Sequence, residues 1–302
     1  MRIGKKMRTT IMKTTITSRR DRVAARVALG LALALVMGAA GAPDALAGRG
    51  GSFARIRSAA EHGNPDAIVA ELERAENIPC TTECMTFVRG LLDSDSYYVR
   101  DAAAWWFARR PAEKAALAAS AAARLTSGDS AAVTSAADTL ARVGHPRAVA
   151  DLGAAVARGG LSSEARAHAV RALGKLHHIS ANPHLAAAMS DASPEVRREA
   201  VLAWPAILRQ SGADPVVALV QDGDVSVRRA AAEVVGRYRA AAARGALEAL
   251  VVGDADAAVR RNAAWALGRI GDGGSRAALE TATGDASSLV RMTARAALRE
   301  LR

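Results

Sequence analysis

Residues 222–231 read DGDVSVRRAA, and residues 254–263 read DADAAVRRNA. The phrase recurs on either side, as DASPEVRREA at 191–200 and DASSLVRMTA at 285–294. Each copy places an Asp six positions before an Arg, giving Asp191 and Arg197, Asp222 and Arg228, Asp254 and Arg260, and Asp285 and Arg291. The arginines are spaced by 31, 32 and 31 residues. Further upstream Ala165-Arg166 and Val99-Arg100 hold the same place, with a degenerate copy, Ala132-Val133, 33 residues from each. A period of this length marks a solenoid, in which each unit buries its apolar face only against its neighbours. Such an architecture displays surfaces and does not dictate chemistry.

Each unit reads as two helices. After Asp222, Val227, Ala231, Val234, Val235 and Tyr238 recur at spacings of three and four, the mark of one buried helical face. The longer helices are expected near 97–109, 131–143, 164–176, 195–208, 226–238, 258–270 and 288–301. The shorter ones are expected near 112–125, 146–158, 182–190, 213–220, 242–251 and 274–282, with three more at 53–62, 65–76 and 81–92. Asp222 is expected to satisfy free N–H groups at the start of its longer helix. Gly174, Gly236 and Gly268, or Pro111 and Pro205, read as helix stops. Half the chain is hydrophobic but only 3% is aromatic, and no sustained two-residue apolar alternation argues for a sheet.

The phrase D-x-x-x-x-V-R-x-x-A-A-x-A-L-G, clearest at Val259 to Gly268, resembles a HEAT repeat and is most similar to the short subtype named for phycobilisome lyases. The resemblance covers about residues 81–302. It implies an all-α fold, a right-handed α-solenoid of about seven two-helix repeats, whose longer helices line a concave face. It also implies an Asp–Arg ladder along the stack, carried by Asp191/Arg197, Asp222/Arg228, Asp254/Arg260 and Asp285/Arg291 and broken where Val133 replaces the Arg. Independently of the resemblance, a repeated Asp beside a repeated Arg forms charge-assisted bonds between neighbours, so these arginines read as structural. Replacing Arg228 is then expected to strand Asp222.

Residues 1–47 read as a secretory signal. A basic stretch to Arg26 precedes an apolar run from Val27 to Gly41, and Ala45-Leu46-Ala47 offers the small residues a signal peptidase requires. Cleavage after Ala47 gives an exported protein, periplasmic or extracellular, with membrane attachment only through an uncleaved leader. Residues 48–80 read as a tether, Gly48 to Ser52, followed by N-terminal capping helices, and 81–302 as the repeat solenoid. The net charge of +11 comes from 41 basic and 30 acidic residues, and the leader holds nine and two of them. The remaining 32 against 28 leaves +4, so the basic balance carries no argument for nucleic-acid binding.

Positions one, five and nine after each ladder residue share a helical stripe. That stripe is rich in Arg and Trp, the types enriched at binding hot spots. Trp105, Arg109, Arg142, Arg171, Lys175, Arg198, Arg229, Arg237, Arg261, Trp265 and Arg269 are the candidate partner-binding residues. Arg198, Arg229 and Arg261 should form an outer cationic row with no repeated acidic partner, free for an acidic protein surface. In Trp105-Trp106-Phe107, Trp106 and Phe107 are expected inside. Cys80 and Cys84, the two cysteines, are expected to form a disulfide whose small loop constrains little. His168, His177, His178 and His184 lack the spacing of a metal site, and no catalytic phrase or phosphate-binding loop is present. The reading is therefore a scaffold for a protein partner, with no cofactor, no metal and no catalysis. The alternatives are a cofactor-handling, lyase-like protein and a structural spacer of the cell envelope.

Overall fold

A computed structural model describes residues 51–301 apart from 145 and 146. The expected leader, 1–47, lies outside the described residues. Helices α1 (Phe53–Glu61) and α2 (Pro65–Arg74) open the stack, followed by α3 (Thr82–Gly90) with α4 (Tyr97–Ala108), and α5 (Pro111–Arg124) with α6 (Ser130–Val143). The series continues with α7 (Ala148–Ala157) and α8 (Ser163–Lys175), then α9 (Asn182–Ala188) and α10 (Pro194–Ala203). It ends with α11 (Asp214–Val217) and α12 (Val225–Arg237), α13 (Arg244–Gly253) and α14 (Ala257–Ile270), and α15 (Arg276–Ala282) and α16 (Ser288–Glu300). No strand occurs among the described residues. The result is an all-α solenoid of helix pairs. Gly51 and Ser52, placed in the tether by the sequence reading, are held: Gly51 N donates to Arg74 O, and Ser52 caps α1.

The long helices α4, α6, α8, α10, α12, α14 and α16 form one layer, each packed on the next, and small residues let them approach. Gly174, Gly236 and Gly268 do not stop helices, contrary to the sequence reading; each lies inside its helix, under the next one. A Cβ at Gly236 would sit 2.6 Å from Trp265 Cζ3 and 2.8 Å from Ala266 Cα, and one at Gly268 would sit 2.8 Å from Ala297 Cα. The true glycine stops are Gly144 and Gly271, whose φ of 66° and 75° ends α6 and α14 in the left-handed region. Helix α10 ends at Ala203, short of the expected 208, and passes into a 3-10 turn at Trp204–Ala206, because Pro205 cannot donate to the helix ladder.

The Asp and Arg of the repeated phrase join one unit to the next. Arg166 binds Asp191, Arg197 binds Asp222, Arg228 binds Asp254 and Arg260 binds Asp285, each through two guanidinium nitrogens at 2.6–3.2 Å. Nη1 of Arg228 meanwhile donates to the carbonyls of Asp222 and Gly223 in its own unit. The residue stranded by loss of Arg228 is therefore Asp254, not Asp222, whose carboxylate is taken by Arg197. The N-cap role also moves by two positions: Asp224 and Asp256 accept the first N–H groups of α12 and α14, while Asp222 accepts from Asp224 N. Where Val133 replaces the Arg the ladder is absent. Arg100, the residue before the gap, turns its side chain to Asp138 at 2.9 Å.

Trp106 and Phe107 are fully buried, and Trp106 donates its indole N–H to Ala75 O at 2.9 Å, pinning α4 to the opening helices. Cys80 and Cys84 are joined by a disulfide at the start of α3, with Cα atoms 5.4 Å apart.

Candidate functional site

The stripe on the long helices divides into two halves of different character. In the N-terminal half its charges are paired, half-exposed cations against acids that are largely buried. Asp138, 4% exposed in its side chain, accepts from Arg100 and lies 2.7 Å from Nδ1 of His168. Asp101 accepts from Nε and Nη2 of Arg142, and Lys175 lies 4.0 Å from the same carboxylate. Glu199 joins Arg171 at 3.2 Å and Arg198 at 2.8 Å. Lys175 Nζ also donates to the Tyr97 hydroxyl at 2.7 Å, although α6 lies between α4 and α8. Side chains two helices apart converge this way only over a concave surface. Tyr97 receives Lys175 and Arg171 on its ring, at 5.3 and 5.8 Å. Trp105 is half-buried with Arg109 stacked at 5.6 Å, and Arg109 pairs with Glu76. This half is braced by its own ion pairs.

The C-terminal half is open. A groove of about 530 Å³ is lined by Glu233, Arg237, Arg261, Asn262, Trp265, Arg269 and Thr293. Trp265 is 38% exposed, its indole resting across Gly236. Among the described residues, neither Arg229 nor Arg269 has an acidic partner within bonding distance. Arg261 meets only the amide oxygen of Asn262, and Arg237 meets Glu233 at 3.4 Å. Asn262 is held in turn by donating to Arg229 O at 3.1 Å. Leu202 and Met292, on the same stripe, are exposed. A smaller recess of about 240 Å³ beside Leu202 takes in Arg171, Lys175, His177 and Glu199.

Of the eleven candidate residues, four therefore line the open groove: Arg237, Arg261, Trp265 and Arg269. Arg229 stands beside it. Arg109, Arg142, Arg171, Lys175 and Arg198 are engaged within the protein, and Trp105 is half-buried beside Arg109. The outer row is thus not uniform, since Arg198 is bound by Glu199 while Arg229 and Arg261 are not. Sequence reasoning passed over Tyr97, Glu199, Asn262 and Thr293. Tyr97 lies one turn before Asp101 on the same stripe, which was a legible signal. Asn262 and Thr293 sit one place further round the helix and are brought in by the packing angle.

The four histidines do not converge. His168 pairs with Asp138, His177 Nδ1 meets Ala206 O at 2.6 Å, and His178 meets Ser180. Among the described residues no group of three His, Cys, Asp or Glu side chains is placed to hold a metal ion. No helix among them is long and apolar enough to cross a membrane.

Helix pairs stacked by a repeated Asp–Arg bond define an α-solenoid of the HEAT and armadillo kind. A sequence model of HEAT repeats matches residues 213–299, and this part of the chain, which contains the open groove, carries HEAT repeats. Among solved structures the chain resembles the Escherichia coli protein YibA, at 15% identity over 82% of this chain and 92% of that one, with a TM-score of 0.54. It also resembles a chain of the Kap95p–RanGDP complex, at 12% identity over 82% of this chain and 41% of that one, with a TM-score of 0.52. The phycocyanin lyase CpcE–CpcF from Nostoc sp. aligns at 23% identity over 75% and 90%, but its TM-score of 0.39 is too low to bear on chemistry. Identities this low establish the fold alone. No curated protein matches the chain by sequence.

Proposed function

We propose that the chain is an exported, non-catalytic HEAT-repeat scaffold that binds a protein partner on the C-terminal half of its concave face. The observation that carries this reading is the groove of about 530 Å³ whose floor is an exposed Trp265 and which is lined by Arg261 and Arg269, neither with an acidic partner among the described residues. In the N-terminal half of the stripe the cations Arg109, Arg142, Arg171, Lys175 and Arg198 are already engaged within the protein. An accessible Trp flanked by Arg, buried when a partner covers it, is the composition of an interface hot spot. A protein-binding role is in keeping with the similar Kap95p, which binds RanGDP. The basic–apolar–small order of residues 1–47 supports export.

The test combines site-specific photo-crosslinking with N-terminal sequencing of the natively expressed protein. A photoreactive side chain at position 265 should capture a protein, and one at position 276, an exposed site on α15, should not. The mature chain should begin at Gly48. Capture that is equal at the two positions overturns the assignment of the face. An uncleaved leader on a membrane-bound form replaces export with anchoring.

A further inference from the structure

We infer that the groove takes an extended acidic segment in which two acids four residues apart flank an apolar residue, so that the acids meet the two ends of α14 and the apolar side chain covers Trp265. This rests on the reading that this face is the partner surface, and it specifies what the partner presents.

Spacing selects the segment. Arg261, Trp265 and Arg269 follow one another at intervals of four along α14, on one face of the helix. Eight residues at 1.5 Å each put the two arginine backbones about 12 Å apart, with the indole midway. An extended peptide advances about 3.3 Å per residue and turns alternate side chains to the same side. Its positions i, i+2 and i+4 therefore present three side chains over about 13 Å, which matches acid, apolar, acid to Arg261, Trp265, Arg269. On the neighbouring helix α12, Arg229 adds to one cationic rim and Arg237, an exposed partner of Glu233 at 3.4 Å, adds to the other, since they hold the same places one unit earlier. Glu233 holds the place of Trp265 there, so the middle of the groove carries negative charge. An acid at i+2 would be repelled, whereas an apolar side chain there covers the indole.

The same feature argues against a nucleic acid. A single strand is read by a groove that tracks a continuous line of phosphates with stacked bases. Here the cations stand in two separated rims with a carboxylate between them.

The experiment is calorimetric titration of the full chain with the peptide acetyl-Ser-Asp-Gly-Phe-Gly-Asp-Ser-amide. It is compared with a peptide whose acids are three residues apart, a peptide with Lys in place of both Asp, and a twelve-residue oligothymidylate. The first peptide should bind, and should weaken as salt is raised. The three-residue spacing should cost about tenfold in Kd, and the Lys peptide should not bind. Trp265→Ala, Arg261→Gln and Arg269→Gln should each weaken binding about tenfold or more, as hot-spot truncations do, while Arg276→Gln changes nothing. Each variant is accompanied by its melting temperature, and the peptide series on the unaltered chain decides the spacing even if a variant unfolds. Equal affinity for the two acid spacings overturns the inference, as does tighter binding of oligothymidylate. If no peptide binds but crosslinking at position 265 still captures a protein, this inference falls and the partner surface stands. If the peptide binds as described and crosslinking at position 265 captures nothing, the partner surface falls.

Discussion

Asp254 is held from two directions. Its carboxylate, 3% exposed, takes Nε and Nη2 of Arg228 from the preceding unit and the backbone N–H of Asp256 in its own. A residue so placed couples two units, and its energy is a pair property. Arg228→Met keeps the aliphatic stem but leaves a nearly buried carboxylate without a counter-charge. Breaking buried pairs costs about 3–5 kcal/mol, and the partial exposure of Arg228 brings the expected loss to about 2 kcal/mol. A double-mutant cycle by denaturant unfolding should show strong coupling of Arg228 to Asp254 and little to the carboxylate of Asp222. The reverse result would return the pairing to a single unit.

The ladder also sets the response to acid. Bonding from Arg197 holds the Asp222 carboxyl below its usual 3.8, and Arg260 does the same for Asp285. Burial pushes Asp191 and Asp254 upward, but the bonds from Arg166 and Arg228, with those from backbone N–H groups, outweigh it, and both are lowered. A carboxyl lowered in the folded state stabilises fully above its unfolded value and loses that contribution as pH falls through the folded one. The unfolding free energy should therefore be insensitive to these groups from pH 5 to 7 and should fall steeply below about pH 4. Arg228→Met should flatten part of that slope, read by chemical denaturation at stepped pH. A slope unchanged by the substitution would remove Asp254 from the account.

At the scale of the element, glycine separates helix propensity from helix packing. Gly245 in α13 faces open space, whereas Gly268 in α14 lies against the backbone of Ala297. Ala is favoured over Gly in a helix by about 1 kcal/mol. Gly245→Ala should therefore stabilise by up to about that amount. Gly268→Ala should destabilise by about 1–3 kcal/mol, because overpacking pushes two helices apart. Thermal melts of the two variants check the sign of each. Helix α16 carries exposed Arg295 and Arg299 where α14 has buried Ala264 and Gly268, so the same face is polar on one helix and packed on the other. Periodicity alone located nearly all the long helices to within a residue or two. It misread Gly174, Gly236 and Gly268 because a glycine that ends a helix and one that admits a neighbour look alike in one dimension.

At the scale of the whole solenoid, neighbour-only packing predicts local consequences. Arg228→Met should raise amide exchange in α12 to α14 while leaving α4 to α6 protected, since stability in stacked repeats is a sum of unit and interface terms. A uniform rise along the stack, read by hydrogen exchange and mass spectrometry, would show that the stack opens as one body. The concave face is likewise two regions. Arg142, Arg171, Lys175 and Arg198 are consumed by Asp101 and Glu199, and Arg237, Arg261 and Arg269 are left to line the groove.

The sequence by itself determined the repeat, the class of fold, the approximate helices and the stripe, because these follow from spacing along one chain. Which arginine meets which aspartate, and which cations remain unpaired, was decided only by tertiary structure. Arg228 and Asp254 are 26 residues apart, Lys175 and Tyr97 are 78 apart, and their meeting depends on the angle and curvature at which successive helices pack. Helical periodicity names the face on which a side chain lies; the distance across that face is set by the neighbours, and that distance separates a braced ion pair from an open binding groove.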